Sequence, residues 1–237
     1  MALPRLSNDR PIYEMVIPST KETVKFRPFL VKEQKSLLVA FESQDQKQIL
    51  NSMLVCIESC VPGVDVKRLA TFDVDYMFTQ VRSKSVGETS TVLSACTECN
   101  EENEVQINLT EINVESNGIK TDVVQLNDEI SVELKFPTYE DTLVYTNSEA
   151  NTNVTENLFN SIASCLNAVQ TKDENILIRQ EPREEVDKFI NSLTNEQLEK
   201  ITNFINTMPT LMYEKKYNCK KCGHENTLQM KGLQDFF

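Results

Sequence analysis

Four cysteines in two pairs carry the strongest chemical signal in the chain: Cys96 with Cys99, and Cys219 with Cys222. Each pair is separated by two residues, and the surroundings repeat. An offset of 123 residues carries CTECNEENEVQI (96–107) onto CKKCGHENTLQM (219–230), aligning Glu102 with Glu225, Asn103 with Asn226, Val105 with Leu228, Gln106 with Gln229 and Ile107 with Met230. Each copy reads as strand, C-x-x-C turn, strand, the knuckle of a zinc ribbon. A thiolate pair on such a turn converges on one ion while nearby backbone N–H groups point at the sulfurs, and two knuckles complete the four-ligand tetrahedral shell that zinc takes in structural sites. The residue after the second cysteine must often be left-handed, which Gly223 adopts freely and Asn100 tolerates better than most. The expectation is one structural zinc ion on Cys96, Cys99, Cys219 and Cys222. A rubredoxin-like iron site uses the same ligand set. The competing readings are a pair of thioredoxin-like redox motifs, which lack their βαβ setting here, or cysteines that merely occupy turns.

The remaining reactive side chains point away from catalysis. His224 is the only histidine; it follows Gly223 in the second knuckle, and because the first copy has Glu101 there, an exposed turn position is expected rather than a ligand. No Ser-His-Asp or Cys-His arrangement can be drawn from it. Five glycines, at 63, 87, 118, 223 and 232, form no phosphate-binding loop. Thirty-six acidic residues make any carboxylate pair arbitrary. Cys56 and Cys60 share a helix face and Cys165 sits in an apolar stripe, so all three are read as small core residues. A non-enzyme is expected.

The elements that must position the knuckles are α+β. Residues 12–17 and 23–27 suggest a β-hairpin, followed by helices through VKEQKSLLVAFES and DQKQILNSMLVCIESCV, the second capped by Asp45. A third helix is expected within 65–84, with Leu69, Phe72, Tyr76 and Val81 inward. Strands flank both knuckles. Between them a hairpin (121–126 and 130–136), a helix opened by Asn153 and Glu156 with a stripe of Leu158, Ile162, Cys165, Leu166 and Val169, a short strand at 175–179 and a helix pair, the second opened by Thr194 and Gln197, complete the reading. The organisation is therefore an N-terminal hairpin and helices (1–85), a split ribbon (86–109 and 210–237), and an α+β insertion (110–209) between its halves.

At 237 residues and a net charge of −12, with a pI near 4.7, the chain can bury a sizeable core but lacks the basic footprint of a nucleic-acid binder. No apolar run approaches the ~20 residues that span a bilayer, and the opening residues show no secretory pattern. A cytosolic site of synthesis is expected, where paired cysteines more often bind metal than form disulfides. The ends, MALPRLSNDRP and GLQDFF, read as an arm that orders on binding and as a tail whose two phenylalanines dock on the ribbon or, as the alternative, anchor in a partner's pocket.

The opening LPRLSNDRPIYEMVIPSTKETVKFRPFLVKEQKSLLVAFES resembles the start of the baseplate hub subunit family of T4-like contractile-tailed phages. The residues that carry it are Tyr13, Pro18, Ser19, Thr20, Lys25, Arg27, Pro28, Phe29, Leu30, Val31, Lys32, Glu33 and Lys35. The resemblance implies a non-enzymatic part in the hub of a viral tail baseplate, with other baseplate or hub proteins as partners and neither nucleic acid nor membrane. Such a chain would work in the host cytoplasm during assembly. It would then stay in the tail baseplate as a structural subunit, in symmetric copies, or leave as an assembly factor. A cytosolic thiol redox or metal-handling protein is the alternative from a different class. Arg27, Pro28 and Phe29 are expected to form a hairpin-to-helix joint with Phe29 buried.

Overall fold

The computed structural model describes residues 10–115, 123–145 and 154–233. The chain divides into two compact units, one of residues 1–66, 72–114 and 211–237 and the other of 67–71 and 115–210.

The first unit opens with a hairpin of β1 (Tyr13–Val16) and β2 (Thr23–Phe26), then α1 (Val31–Ser43), α2 (Gln46–Cys60) and α3 (Thr71–Val86). Asp45 caps α2 by accepting from the N–H groups of Lys47 and Gln48. The third helix starts six residues later than the first expected position, because Val66–Arg68 form a 3-10 turn. Phe72 and Val81 are buried as expected, whereas Leu69 and Tyr76 are half-buried.

The ribbon follows from β3 (Thr89–Ala95) and β4 (Glu102–Asn108), joined by the first knuckle, and is completed by β10 (Thr210–Asn218) and β11 (Glu225–Lys231), joined by the second. Alternation makes each hairpin half-buried: Asn103, Val105 and Ile107 turn inward on β4 while Glu102, Glu104 and Gln106 face solvent. A short strand, β5 (Asn113–Glu115), pairs with β10 in a sheet of order β11-β10-β5. The ribbon core is Ile107, Leu109, Ile112, Leu211, Tyr213 and Met230, with Leu228 and Leu233 packed against it.

The second unit holds a four-stranded antiparallel sheet of order β6-β7-β8-β9, from β6 (Val123–Gln125), β7 (Ser131–Leu134), β8 (Leu166–Gln170) and β9 (Asn175–Leu177). Its helices are α4 (Tyr139–Tyr145), α5 (Val154–Cys165), α6 (Arg183–Asn191) and α7 (Asn195–Asn206), and Val132, Leu134, Ile162, Leu166, Ile190 and Ile201 lie in its core. Thr194 and Gln197 form the expected capping box. One expectation fails here. The helical stripe does not continue through Leu166 and Val169, because the chain leaves the helix at Cys165 and Val169 pairs with Val132 in the sheet. The expected capping role of Asn153, the start of the hairpin at 121 and 122, the N-terminal arm and the last four residues lie outside the described residues.

Candidate metal centre

The two hairpins superpose by sequence offset down to their register. Ala95 pairs with Glu102 and Ser94 with Asn103; 123 residues on, Asn218 pairs with Glu225 and Tyr217 with Asn226. The turns repeat as well. The Cys96 N–H donates to the Glu101 carbonyl at 2.9 Å and the Asn100 N–H to the Cys96 carbonyl at 3.0 Å; the Cys219 N–H donates to the His224 carbonyl at 2.9 Å and the Gly223 N–H to the Cys219 carbonyl at 3.0 Å. This turn requires positive φ at its fifth residue, and Asn100 has φ 56° where Gly223 has 74°. The substitution of Asn for Gly read from the sequence is thus one backbone conformation written two ways.

Folding brings the four expected sulfurs together. All lie within 4.8 Å of one another, with Cys96 Sγ 3.7 Å from Cys222 Sγ and Cys99 Sγ 3.6 Å from Cys219 Sγ. A tetrahedron with ~2.3 Å metal–sulfur arms has edges of about 3.8 Å, whereas a disulfide needs about 2.05 Å. The donor set and its spacing therefore fit a four-thiolate metal. Cys96 and Cys219 are buried, Cys99 is half-buried and Cys222 is exposed.

The electrostatics repeat across the same offset. At Cys219 the Cys222 N–H, helped against burial by the Lys221 N–H, the Cys99 sulfur and the Asn103 amide, draws the thiol down to about 6. At Cys96 burial opposes ionisation, but the N–H groups of Cys99 and Glu98 and the Asn226 amide outweigh it and the thiol is lowered. The second cysteine of each knuckle behaves the other way. The Glu101 N–H favours ionised Cys99, yet burial and the three neighbouring sulfurs push it up to about 12. The His224 N–H and Cys99 pull Cys222 down, but burial and the Cys219 and Cys96 sulfurs prevail and it is raised. Four crowded thiols cannot all carry charge unaided; a divalent cation removes that conflict, because bound thiols are deprotonated.

Cys56, Cys60 and Cys165 are not among the clustered sulfurs. Cys56 and Cys60 are buried on α2, and Cys165 is buried at the end of α5. His224 is exposed, and its backbone carbonyl, rather than its ring, serves the knuckle. Sequence reading did not assign Asn103 and Asn226 a role, although they recur four residues after the second cysteine of each knuckle. Both are 4% exposed, and each reaches the opposite cysteine pair: Asn103 Nδ2 lies 3.7 Å from Cys219 Sγ and Asn226 Nδ2 3.5 Å from Cys96 Sγ.

A family model described as T4 bacteriophage base plate protein matches residues 10–237. The chain belongs to that family. No curated protein and no solved structure matches it. Among the described residues of this baseplate protein, no helix is long and apolar enough to cross a membrane.

The leader residues between Tyr13 and Lys35 form joints in the baseplate protein. Ser19 donates through its backbone N–H, at 2.9 Å, and its hydroxyl to Asp73, which is fully buried in the first turn of α3. Arg27 Nη2 donates to Glu33 Oε1 at 2.9 Å and Nη1 to the Pro28 carbonyl, while Glu33 Oε2 accepts the Leu30 N–H at the start of α1. Phe29 is half-buried rather than buried, with its N–H donating to Ser85 Oγ. The joint is held by a polar network around Arg27 and Glu33 more than by burial of the ring.

Proposed function

We propose that this baseplate protein is a non-enzymatic component of the tail hub, acting as structural subunit or as hub-assembly factor, and that a structural zinc ion on Cys96, Cys99, Cys219 and Cys222 stabilises it. The observation that carries the reading is the family match across 228 of the chain's residues, 10–237, joined to the hub-like leader motif from Tyr13 to Lys35. Four protein thiolates leave zinc no open position for water or substrate, which supports a structural role for the ion. Zinc is favoured over iron because it is redox-silent and suits thiolates.

In this reading residues 110–209 are an insertion into a split ribbon, the partners are other baseplate or hub proteins, and assembly takes place in the host cytoplasm. The deciding experiment is quantitative mass spectrometry of purified infectious particles against lysates trapped during tail assembly. A fixed copy number matching hub symmetry identifies a structural subunit; abundance in trapped hub intermediates with absence from particles identifies an assembly factor. Absence from both refutes the hub role.

A redox or metal-handling role using the two C-x-x-C motifs draws on one observation, four free cysteines of which Cys222 is exposed. Stoichiometric metal that survives mild oxidant opposes it, and reversible thiol–disulfide cycling supports it.

A further inference from the structure

We propose that Asn103 and Asn226 are reciprocal positioning residues of the metal centre, each anchored in its own knuckle and holding the opposite one in ligating geometry, so that the two halves of the ribbon take up and release metal as one unit. The inference rests on the metal reading above.

The geometry is closed and two-fold. Asn103 Nδ2 donates to the Glu101 carbonyl of its own turn at 2.7 Å and to Cys219 Sγ at 3.7 Å, while its Oδ1 accepts the Lys220 N–H at 2.9 Å. Asn226 Nδ2 donates to the His224 carbonyl at 3.0 Å and to Cys96 Sγ at 3.5 Å, while its Oδ1 accepts from the Thr97 N–H and hydroxyl, each at 3.0 Å. The offset of 123 residues carries every backbone and sulfur partner of Asn103 onto that of Asn226. A carboxamide has two N–H donors and one carbonyl acceptor, and all are engaged in both copies.

Only a carboxamide meets these demands. Flipping either amide would set its oxygen against a carbonyl and a sulfur and its NH2 against a backbone N–H, so the hydrogen-bond network fixes the orientation. Aspartate would keep the acceptor but turn a carboxylate toward the carbonyl and the thiolate. Alanine would leave the Lys220 or Thr97 N–H without its side-chain acceptor and the opposite sulfur without its amide donor, while the turn carbonyl would keep only the cysteine N–H. Partners in this position orient ligands and tune the metal in other sites, with losses of about 10–100-fold in metal affinity on removal.

The test uses the full chain loaded with cobalt(II), whose tetrahedral thiolate complex absorbs in the visible and near ultraviolet, with metal transfer to EDTA followed by stopped-flow. The variants are Asn103→Ala, Asn226→Ala and the near-isosteric Asn103→Asp, with Asn108→Ala as control. Asn108 lies on the same strand but accepts from Thr110, away from the sulfurs. The expected result is metal release faster by about 10–100-fold in each clamp variant, by similar factors for the two alanine variants. The sulfur-to-cobalt charge-transfer band should move to lower energy, because a thiolate that loses an N–H donor is easier to oxidise. The Asn108 control should melt earlier without moving the band. Unchanged band and release rate in both Asn103→Asp and Asn226→Ala, with tetrahedral cobalt bound, would overturn the clamp while leaving the metal reading intact. Failure of the unmodified chain to form a tetrahedral cobalt complex would overturn the metal reading itself.

Discussion

Stripping the metal should open the ribbon before anything else. The centre joins residues about 120 apart, and holding a loop of that length closed costs about 5 kcal/mol of chain entropy by cross-link arithmetic. Structural zinc in zinc-finger peptides releases ~10–16 kcal/mol at neutral pH, so a zinc ion bound here would offset the closure and leave a net stabilisation of at least ~5 kcal/mol. For a protein of this size a loss of that order lowers Tm by ~10–20 °C. The assay is differential scanning calorimetry of holo and chelated protein, with metal content checked by elemental analysis, paired with hydrogen-exchange mass spectrometry. Faster exchange should concentrate in β3, β4, β10 and β11, whereas α6 and α7, built on the second unit's own core, should exchange as before. Verified metal-free protein that melts within a degree or two of the holo form, with the ribbon amides still protected, would refute the reasoning.

Substitutions at three positions probe the supports of the fold. A Cβ at Gly223 would meet nothing within 4 Å while φ stays at 74°, so Gly223→Ala should cost about 1–2 kcal/mol through backbone strain alone, and Gly223→Asn, the choice made at Asn100, should recover most of it; chemical denaturation of the holo protein measures both. Glu33→Gln should cost ~2 kcal/mol, because its carboxylate, 5% exposed, accepts from Arg27 and the Leu30 N–H. Burial raises the Glu33 pKa, but those partners outweigh it and hold it below the ordinary 4.5; the stabilisation is full above that value and lost as pH falls through the depressed folded value. The Tm gap between wild type and Glu33→Gln should therefore close under acid conditions, and a gap constant from pH 7 to pH 3 would contradict the assignment. Ser19→Ala removes a hydroxyl donor from buried Asp73 and should cost ~1.5–3 kcal/mol in urea denaturation with the m-value unchanged.

The four-cysteine cluster was legible because its code is local and written twice: two C-x-x-C turns, a left-handed residue after each, and matching strands. The Asn clamps were half-legible. Their recurrence stood in the aligned copies, but a polar residue on a strand normally faces solvent, and only the folded ribbon shows that Asn103 and Asn226 turn inward to the opposite turn. The leader motif was legible as a joint, yet not its chemistry, since the partners of Ser19 and Phe29 lie more than fifty residues away at Asp73 and Ser85. The boundary at Cys165 was hidden for a different reason. Ile162, Cys165, Leu166 and Val169 satisfy helical spacing, and the same residues also suit a strand buried between β7 and β9. No glycine or proline marks the change, so pairing with Val132 decides it. Three-residue β5 depends likewise on β10, about a hundred residues away.

The duplication raises a question of specificity that the surface charges answer. Two knuckles with the same backbone, sulfurs and clamps could close like with like across two copies of the chain as well as first with second within one. Their charges differ: Glu98 stands where the second knuckle has Lys221, Thr97 where it has Lys220, and Glu101 where it has His224. In the observed closure Glu101 lies 3.1 Å from Lys221 and 3.8 Å from Lys220. The same geometry applied to two first knuckles would set Glu101 against Glu98, and applied to two second knuckles would set His224 among lysines. Exposed attractions of this kind contribute only ~0.2–1 kcal/mol each, and the two-fold would present each repulsion twice in a mispaired dimer. The charges thus favour an acidic knuckle closing on a basic one, and the tether raises the effective concentration of the partner within the same chain.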